Sequence, residues 1–297
     1  MRHRELQLLG CQDTALFAQA WLPERDPRAV VVISHGLAEH GGRYPEVAAR
    51  LVASDYAVYA LDHRGHGRSG GPRANIERFA YLVSDLGTFA GRAQREHPGA
   101  PVFLLGHSMG GAVALACALR YKGRLKGLAL SAPALATGEA VSSFKRLTLR
   151  LLSSLAPNTG ALTLPATAIS RDPAVVEAYE QDPLVFRGAI PARTIVELLQ
   201  AMAAFPARAQ ELRIEARVVV LAAGAYGTPA ILQRSGVGDP TVLGASGITP
   251  LVELPGVGRN LRDHPLVELE FTGSERLRQL LAESAAPYWA AWTLIGM

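Results

Sequence analysis

The sequence predicts an α/β fold in which a mostly parallel β-sheet carries helices on both faces. Over the first 131 residues, short and continuous apolar runs alternate with longer stretches of helical spacing, which is typical of strands buried in a parallel sheet. The chain has 297 residues, of which 49% are hydrophobic and 19% charged, and this is enough for a sizeable core. Between residues 131 and 212 the alternation gives way to helical patterns separated by Pro and Gly. We therefore expect a helical insertion over the ends of the strands.

Each predicted element has a local signal. The β-branched run at 29–34 is typical of a buried strand, and His-Pro-Gly at 97–99 ends the helix that precedes it. On such signals we expect strands at 6–9, 15–21, 29–34, 56–61, 102–105, 125–131 and 217–222. We expect helices at 45–54, 79–96, 109–121, 142–155, 173–181 and 191–204.

These elements predict three parts of the chain. Residues 1–136 form the first part of an α/β core, residues 137–212 form a helical cap, and residues 213–297 complete the core. A cap over the carboxyl ends of the strands lies where α/β proteins bind small molecules.

Composition argues against several classes of function. The net charge is +4, but the basic residues are scattered without a Lys/Arg block, so we expect no nucleic-acid partner. Cys11 and Cys117 are far apart in sequence and indicate neither a disulfide framework nor a metal site. No feature of the sequence indicates an oligomeric state.

The sequence shows neither a secretory signal nor a membrane span, and we therefore expect a cytoplasmic protein. Residues 1–5 are charged and are not followed by the apolar segment of a secretory signal, and no run approaches the roughly 20 apolar residues of a membrane span. The aromatic segment at 288–295 is too short to cross a bilayer. It fits a docking tail, with an interfacial anchor, and hence peripheral membrane contact, as the alternative.

The strongest chemical signal is Gly-His-Ser-Met-Gly at 106–110. A Gly-x-Ser-x-Gly segment between an apolar strand and a helix is the nucleophile elbow of α/β-hydrolases. Its glycines permit a sharp turn that lifts the serine hydroxyl out of the sheet at the start of a helix. We therefore expect Ser108 to be the nucleophile and the Met109 N–H to stabilise an oxyanion.

Two further loops follow predicted strands. His-Gly-Leu at 35–37 lies where this fold supplies its second oxyanion donor, so the Leu37 N–H is the candidate. For His35 and His40 we favour hydrogen bonds that order the loop. The loop at 62–70 contains two histidines, but its glycines and charges fit a structured turn better than a metal site.

Together these motifs resemble the monoacylglycerol lipases and related lysophospholipases, a family of α/β-hydrolases. The resemblance covers about residues 5–212 and includes Ser-Arg-Asp-Pro at 170–173 and Asp-Pro-Leu-Val at 182–185 of the cap. It implies hydrolysis of single-chain fatty acyl esters such as monoacylglycerols in an apolar tunnel under the cap, with no cofactor and no metal. Some apolar residues of the cap fit either an acyl chain or packing of the cap onto the core: Leu147, Leu151, Leu152 and Leu155.

The last third departs from this family. After about residue 214 the family has a strand that ends in His-Gly-x-x-Asp and a second that ends in Tyr-His, but here the first ends in Leu-Ala-Ala-Gly-Ala-Tyr-Gly at 221–227. Residues from about 215 to 285, including Leu-Pro-Gly-Val-Gly-Arg-Asn-Leu-Arg-Asp-His-Pro at 254–265, resemble a fragment of the glucose-methanol-choline oxidoreductases, which use FAD. No Gly-x-Gly-x-x-Gly segment directly joins a predicted N-terminal strand to a helix, as a pyrophosphate site requires. We interpret the chain as a chimera.

The catalytic triad has to be completed from this last third. In this fold the order along the chain is Ser, acid, His, and His264 is the only histidine after Ser108. Asp239 is the best candidate for the acid because it lies in a loop between the predicted strand and His264, whereas Glu253 and Asp263 are weaker candidates. One alternative is a turn-forming role for His264, with an incomplete triad and a weak or inactive hydrolase. The other is a flavin-binding oxidoreductase fragment.

Overall fold

The structure, a computed structural model, describes residues 1–121, 123–135, 143–170, 172–208, 211, 220–222 and 224–259. The chain divides into two compact units, Met1–Thr228 and Pro229–Met297. The boundaries predicted at residues 136/137 and 212/213 stay predictions.

Most strands of the first unit form one sheet. In chain order the strands are β1 (Arg2–Leu9), β2 (Ala15–Leu22), β3 (Ala29–Ser34), β4 (Tyr56–Leu61), β5 (Val102–His107), β6 (Gly127–Ser131), β7 (Gly160–Leu162), β8 (Ile190–Pro191), β9 (Val220–Ala222), β10 (Val237–Gly238) and β11 (Val252–Glu253). Seven of them are ordered β1-β2-β4-β3-β5-β6-β9. β1 pairs antiparallel with β2 and β2 with β4, whereas β4, β3, β5, β6 and β9 run parallel. The predicted mostly parallel sheet is therefore confirmed.

The carboxyl ends of the central strands meet at one edge of this sheet. β3 pairs with β5 so that Ser34 lies opposite Gly106, and β5 pairs with β6 so that His107 lies opposite Ser131. Leu61, the last residue of β4, also lies opposite Ser34. The loops that follow these strands therefore converge at the edge where parallel α/β sheets bind ligands.

Helices cover both faces of the sheet. They are α1 (Pro45–Val52), α2 (Phe79–Glu96), α3 (Met109–Arg120), α4 (Ser143–Leu155), α5 (Pro173–Gln181), α6 (Ala192–Arg208), α7 (Gly224–Arg234) and α8 (Pro240–Ala245). Because side chains of a strand alternate between its faces, Val32 of β3 joins Phe89 of α2 in one core cluster, and Ile33 joins Val52 of α1 in the other. Burial of each such side chain stabilises the fold by roughly 1.5–3 kcal/mol.

Helix α6 anchors the helical insertion to the core. Thr194 Oγ1 donates to Ala74 O (2.7 Å) and accepts from Ile76 N (2.8 Å). Glu197 Oε2 accepts from Phe79 N (2.8 Å), the first residue of α2. These bonds tie the insertion to the segment that leads into α2, and α4 packs against α6 in turn.

Several short elements were not predicted, namely β7, β8, β10, β11, α7 and α8. Helix α7 was not predicted, because Gly224, Gly227 and Pro229 lie within it and such residues weaken a helical signal. Of the strand predicted at 217–222, the described residues Val220–Ala222 pair parallel with β6, and residues 217–219 lie outside the described part of the chain. In the second unit β10 and β11 form a short parallel pair.

A buried ion pair joins α2 to two loops of the core. Asp85 is 1% exposed, and its carboxylate accepts from Arg64 Nε (2.8 Å) and from Cys11 N (2.7 Å). Arg64 Nη2 also donates to Cys11 O (2.8 Å). The loop after β4 and the turn between β1 and β2 therefore depend on one carboxylate.

We expect Asp85→Asn to lower the free energy of unfolding by roughly 3 kcal/mol, because the buried Arg64 guanidinium loses its counter-charge. Urea unfolding measures the change. Asp26→Asn, at an exposed aspartate, is the control and should stay within about 0.5 kcal/mol of the parent. Equal stability of Asp85→Asn and the parent would contradict this account.

Candidate active site

Ser108 occupies a strained turn between β5 and α3. Its backbone angles are φ 51° and ψ −119°, a region that costs a non-glycine residue of the order of 1–3 kcal/mol. Backbone bonds to the end of β6 and the loop after it hold the turn: Ser108 N donates to Ser131 O (3.0 Å) and Ser108 O accepts from Ala134 N (2.9 Å). Ser131 and Ala134 could not be predicted from the sequence, since main-chain atoms form these bonds and leave no side-chain signal.

Two glycines make this turn possible. A Cβ placed on Gly106 would lie 2.5 Å from Gly110 O, and a Cβ on Gly110 would lie 2.0 Å from Ser34 O. Neither position can hold a side chain without moving the backbone of β3 or α3. The Gly-x-Ser-x-Gly spacing is therefore a packing requirement of the elbow.

The loop after β3 lies against the elbow. A Cβ placed on Gly36 would be 3.4 Å from Ser108 Cβ, and Leu37 follows Gly36 directly. Met109 is the first residue of α3, so its N–H belongs to the first helical turn, where amides lack intrahelical acceptors. The structure thus places the loop of Leu37 and the amide of Met109 next to Ser108.

His35 orders this loop. Its Nδ1 donates to Gly36 O (2.7 Å) and its Nε2 accepts from His63 N (2.8 Å). Both ring nitrogens are therefore occupied, which leaves no nitrogen for proton transfer with Ser108. This is the loop-ordering role that the sequence favoured.

The loop at 62–70 is a packed polar turn. His63 Nε2 bonds Ser34 Oγ (2.8 Å) and His66 Nδ1 donates to Arg64 O (2.9 Å). The Asp62 carboxylate accepts hydrogen bonds from two backbone N–H groups, that of Gly41 in the loop after β3 and that of Arg68 in its own loop (2.8 Å each). Within the described part of the chain, no group of His, Cys, Asp and Glu side chains is arranged to hold a metal ion.

His35, His63 and His66 are neutral. Burial lowers the pKa of His63 to about 3 and that of His66 to about 4, and the charges of neighbouring groups add to the effect. Burial also lowers the pKa of His35 well below its usual range, with further lowering from His63 and His66. Each imidazole acts here as a hydrogen-bonding group and not as a cation.

The proposed acid and base belong to the second compact unit, Pro229–Met297. His264 and Asp263 fall outside the described residues, and Glu253 ends β11. Asp239 caps α8: its Oδ1 accepts from Thr241 N (2.9 Å), and its Oδ2 pairs with Arg259. The Thr241 bond, and then the charge of Arg259, lower the pKa of Asp239, so this carboxylate is ionised.

The apolar cap residues divide between two faces of α4. Leu147, Leu151 and Leu155 are more than half exposed, at 57%, 55% and 84%. The opposite face lines a cavity of about 550 Å³ between α4 and α6. Its walls combine apolar side chains with the polar Arg146, Arg150 and Gln200; the apolar ones include Leu135, Leu149, Val196, Leu199 and Met202. The volume is in the usual range for a small-molecule site, and Leu135 directly follows Ala134, which bonds Ser108.

The chain is similar to known ester hydrolases. A profile of the family described as Serine aminopeptidase, S33, matches residues 25–225, and a profile of the GMC oxidoreductases matches residues 194–266. The monoacylglycerol lipase of Mycolicibacterium smegmatis is 43% identical over 218 residues, which cover 72% of this chain and 77% of that protein. The human monoglyceride lipase is 37% identical over 196 residues, which cover 66% of this chain and 65% of the human protein. The chain thus spans slightly less than two thirds of its human relative.

Solved structures agree with the sheet topology. The crystal structure of Paleococcus ferrophilus monoacylglycerol lipase superposes with a TM-score of 0.58 and 27% identity, covering 73% of this chain and 76% of that one. The fold is therefore that of the α/β-hydrolases, as the elbow motif predicted.

The neutral histidines predict a loss of stability in acid. Below about pH 6.5, the unfolded chain binds protons that the folded histidines do not, so the free energy of unfolding falls as the pH is lowered towards 4. We expect roughly 1–2 kcal/mol of loss per histidine between pH 6.5 and pH 5. Urea unfolding across this range measures it. His66→Gln should reduce the slope and the exposed His3→Gln should not, whereas a parent whose stability is constant from pH 7 to pH 5 would contradict the prediction.

Proposed function

The chain belongs to the S33 serine aminopeptidase family of α/β-hydrolases, and on this basis we propose that it is a serine carboxylester hydrolase acting on monoacylglycerols or similar single-chain acyl esters. The observation that carries the proposal is Ser108, held at a strained elbow beside the loop of Leu37. The mycobacterial and human relatives, named as monoacylglycerol and monoglyceride lipases, support the substrate class. The cavity between α4 and α6 offers apolar side chains on part of its wall for an acyl chain.

The proposed reaction proceeds through an acyl-enzyme. Ser108 Oγ attacks the ester carbonyl and gives its proton to a base, and the carbonyl oxygen becomes an oxyanion. The N–H groups of Leu37 and Met109 stabilise this oxyanion. The intermediate collapses, and the leaving alcohol takes the proton from the base. Water then repeats the sequence on the acylated serine and releases the fatty acid. No cofactor enters these steps.

We propose His264 as the base and Asp239 as the acid of the triad, on the order of residues along the chain. His264 is the only histidine after Ser108. Asp239 already binds Thr241 and Arg259 through its two oxygens. A bond from His264 therefore has to use a remaining lone pair of this carboxylate or displace Arg259.

Turnover of a monoacylglycerol and of a p-nitrophenyl ester tests the triad. We expect Ser108→Ala to abolish turnover and His264→Ala to lower kcat by roughly 10⁴-fold or more. Asp239→Asn should lower kcat by roughly 10²–10⁴-fold, and because Asn caps helices as well as Asp, α8 should remain folded. His3→Ala is the matched control at an exposed histidine and should match the parent.

Each outcome separates the alternatives. Loss of turnover with Ser108→Ala but not with His264→Ala would exclude His264 as the base. An inactive parent would favour the incomplete triad of a chimeric chain. A visible flavin absorbance band in the purified protein would instead favour the oxidoreductase fragment, to which the match at residues 194–266 points.

We further propose peripheral membrane contact through α4, in a protein located in the cytoplasm. Leu147, Leu151 and Leu155 are spaced four residues apart and form an exposed stripe along this helix. The same helix carries three cations, at Lys145, Arg146 and Arg150, of which Arg146 and Arg150 also line the cavity. Apolar and cationic residues on one helix favour the surface of an anionic bilayer. Among the described residues, no helix is long and apolar enough to span a membrane.

Flotation with phosphatidylglycerol vesicles tests this contact. We expect the parent to float with anionic vesicles and a Leu147→Ser, Leu151→Ser double variant to bind at least roughly 10-fold more weakly. A leucine fully buried in the bilayer contributes about 1.5–3 kcal/mol, and partial burial of two exceeds the roughly 1.4 kcal/mol of a tenfold change. Leu9→Ser, at a leucine that is 66% exposed in β1, is the control. Equal flotation of all three proteins would rule out α4 as the contact.

A further inference from the structure

One carboxylate holds the loop that carries Leu37. Glu39 is 8% exposed, and its Oε1 accepts from Gly36 N (2.6 Å) and from Tyr44 Oη (2.8 Å). Its Oε2 accepts from Arg43 Nη1 (3.0 Å). The Glu39 side chain thereby closes a ring over the peptide units that start at Gly36, and Leu37 lies inside this ring.

The ring lies directly against the nucleophile. A Cβ placed on Gly36 would be 2.8 Å from Glu39 Oε1 and 3.4 Å from Ser108 Cβ. Gly36 therefore lies between the Glu39 carboxylate and the elbow, at a position too tightly packed for a side chain. A shift of the carboxylate moves the peptide that presents the Leu37 N–H to the reacting carbonyl.

The helical insertion binds the same loop from its other side. His40 Nδ1 accepts from Gly42 N (3.1 Å), which leaves Nε2 to donate to Asp182 Oδ2 (2.8 Å). Phe186 N donates to Ala38 O (2.9 Å). Two residues of one insertion segment therefore hold two residues of the loop, and both hydrogen bonds flank Glu39.

Arg43 adds a third connection. Its guanidinium pairs with Glu39 and lies over the ring of Tyr179, 4.7 Å from the ring centre, at the end of α5. The carboxylate that orders the loop is thus linked through one arginine to the insertion.

We propose that Glu39 is a positioning residue for the oxyanion site, and that the His40–Asp182 bond makes the position of the Glu39 carboxylate depend on insertion residues 179–186. The inference deepens the proposed function and rests on it, since it takes Leu37 as an oxyanion donor. Such a donor has to lie about 2.7–3.1 Å from the developing oxyanion. A displacement of about 1 Å in a catalytic group costs up to roughly 10²-fold in rate. Contacts that an acyl chain makes with the insertion are therefore transmitted to the group that stabilises the transition state.

Glu39→Gln tests the inference, because a glutamine amide cannot accept hydrogen bonds on both of its terminal atoms. We expect kcat to fall roughly 10- to 100-fold with KM within about twofold. An alkyl trifluoromethyl ketone, which forms an anionic tetrahedral adduct on the serine, should bind more weakly by the same factor. A non-reacting ether analogue of monoacylglycerol should bind as it does to the parent. Glu46→Gln, at an exposed glutamate of α1, is the matched control for both ligands.

A second variant tests the inference independently, should Glu39→Gln prevent folding. Asp182→Asn changes a partly exposed side chain that accepts from His40 and from Leu184 N (2.9 Å), and an amide can keep only one of these bonds. It should lower kcat and ketone affinity in the same direction by a smaller factor, roughly 3- to 10-fold.

The outcomes distinguish this inference from the proposed function. If the parent hydrolyses esters and binds the ketone, and both variants match it, the inference is wrong and the proposed function stands. If the variants lose ketone and ether affinity equally, Glu39 has only a structural role and the inference is wrong. A parent that neither hydrolyses esters nor binds the ketone overturns the proposed function and the inference with it.

Discussion

The positive φ of Ser108 is the constraint on which the rest of the site depends. A non-glycine residue adopts such a turn only where its surroundings determine it, and here the surroundings are the parallel register of three strands. That register sets Ser34 opposite Gly106 and His107 opposite Ser131, so that Ser131 O receives the Ser108 N–H. The hydrophobic clusters on the two faces of the sheet stabilise this register, and the strain at Ser108 is small beside their burial energy.

The buried histidines beside the elbow are hydrogen-bonded through one or both ring nitrogens and carry no charge. His35 and His63 bond to each other's loop and to Ser34, in places where burial lowers each histidine pKa far below neutrality. These neutral imidazoles fix the two loops through hydrogen bonds that need no reorganisation when the neighbouring serine reacts.

Local sequence signals predicted much of this architecture, but they could not predict which distant residues contact each other. Strands 29–34 and 56–61 and helix 79–96 have the predicted bounds, because continuous apolar runs and a His-Pro-Gly stop are unambiguous. Helix α7 was missed since its composition resembles a turn. Ser108 was evident because close packing at Gly106 and Gly110 imposes a short motif. The bond between His40 and Asp182 crosses 142 positions, and no spacing rule connects such residues.

The two parts of the chain contribute differently to the proposed reaction. Residues 1–228 contain the elbow, the loop of Leu37 and the helical insertion, and together these determine which bond is attacked. Asp239 belongs to the second unit, where helix α8 and Arg259 already occupy its two oxygens. A triad loses most of its rate when any member is absent, and the oxyanion site and substrate binding sustain the residual catalysis. We therefore infer that the first unit sets the class of reaction, and that its rate depends on whether the Asp239 carboxylate also accepts a hydrogen bond from a histidine.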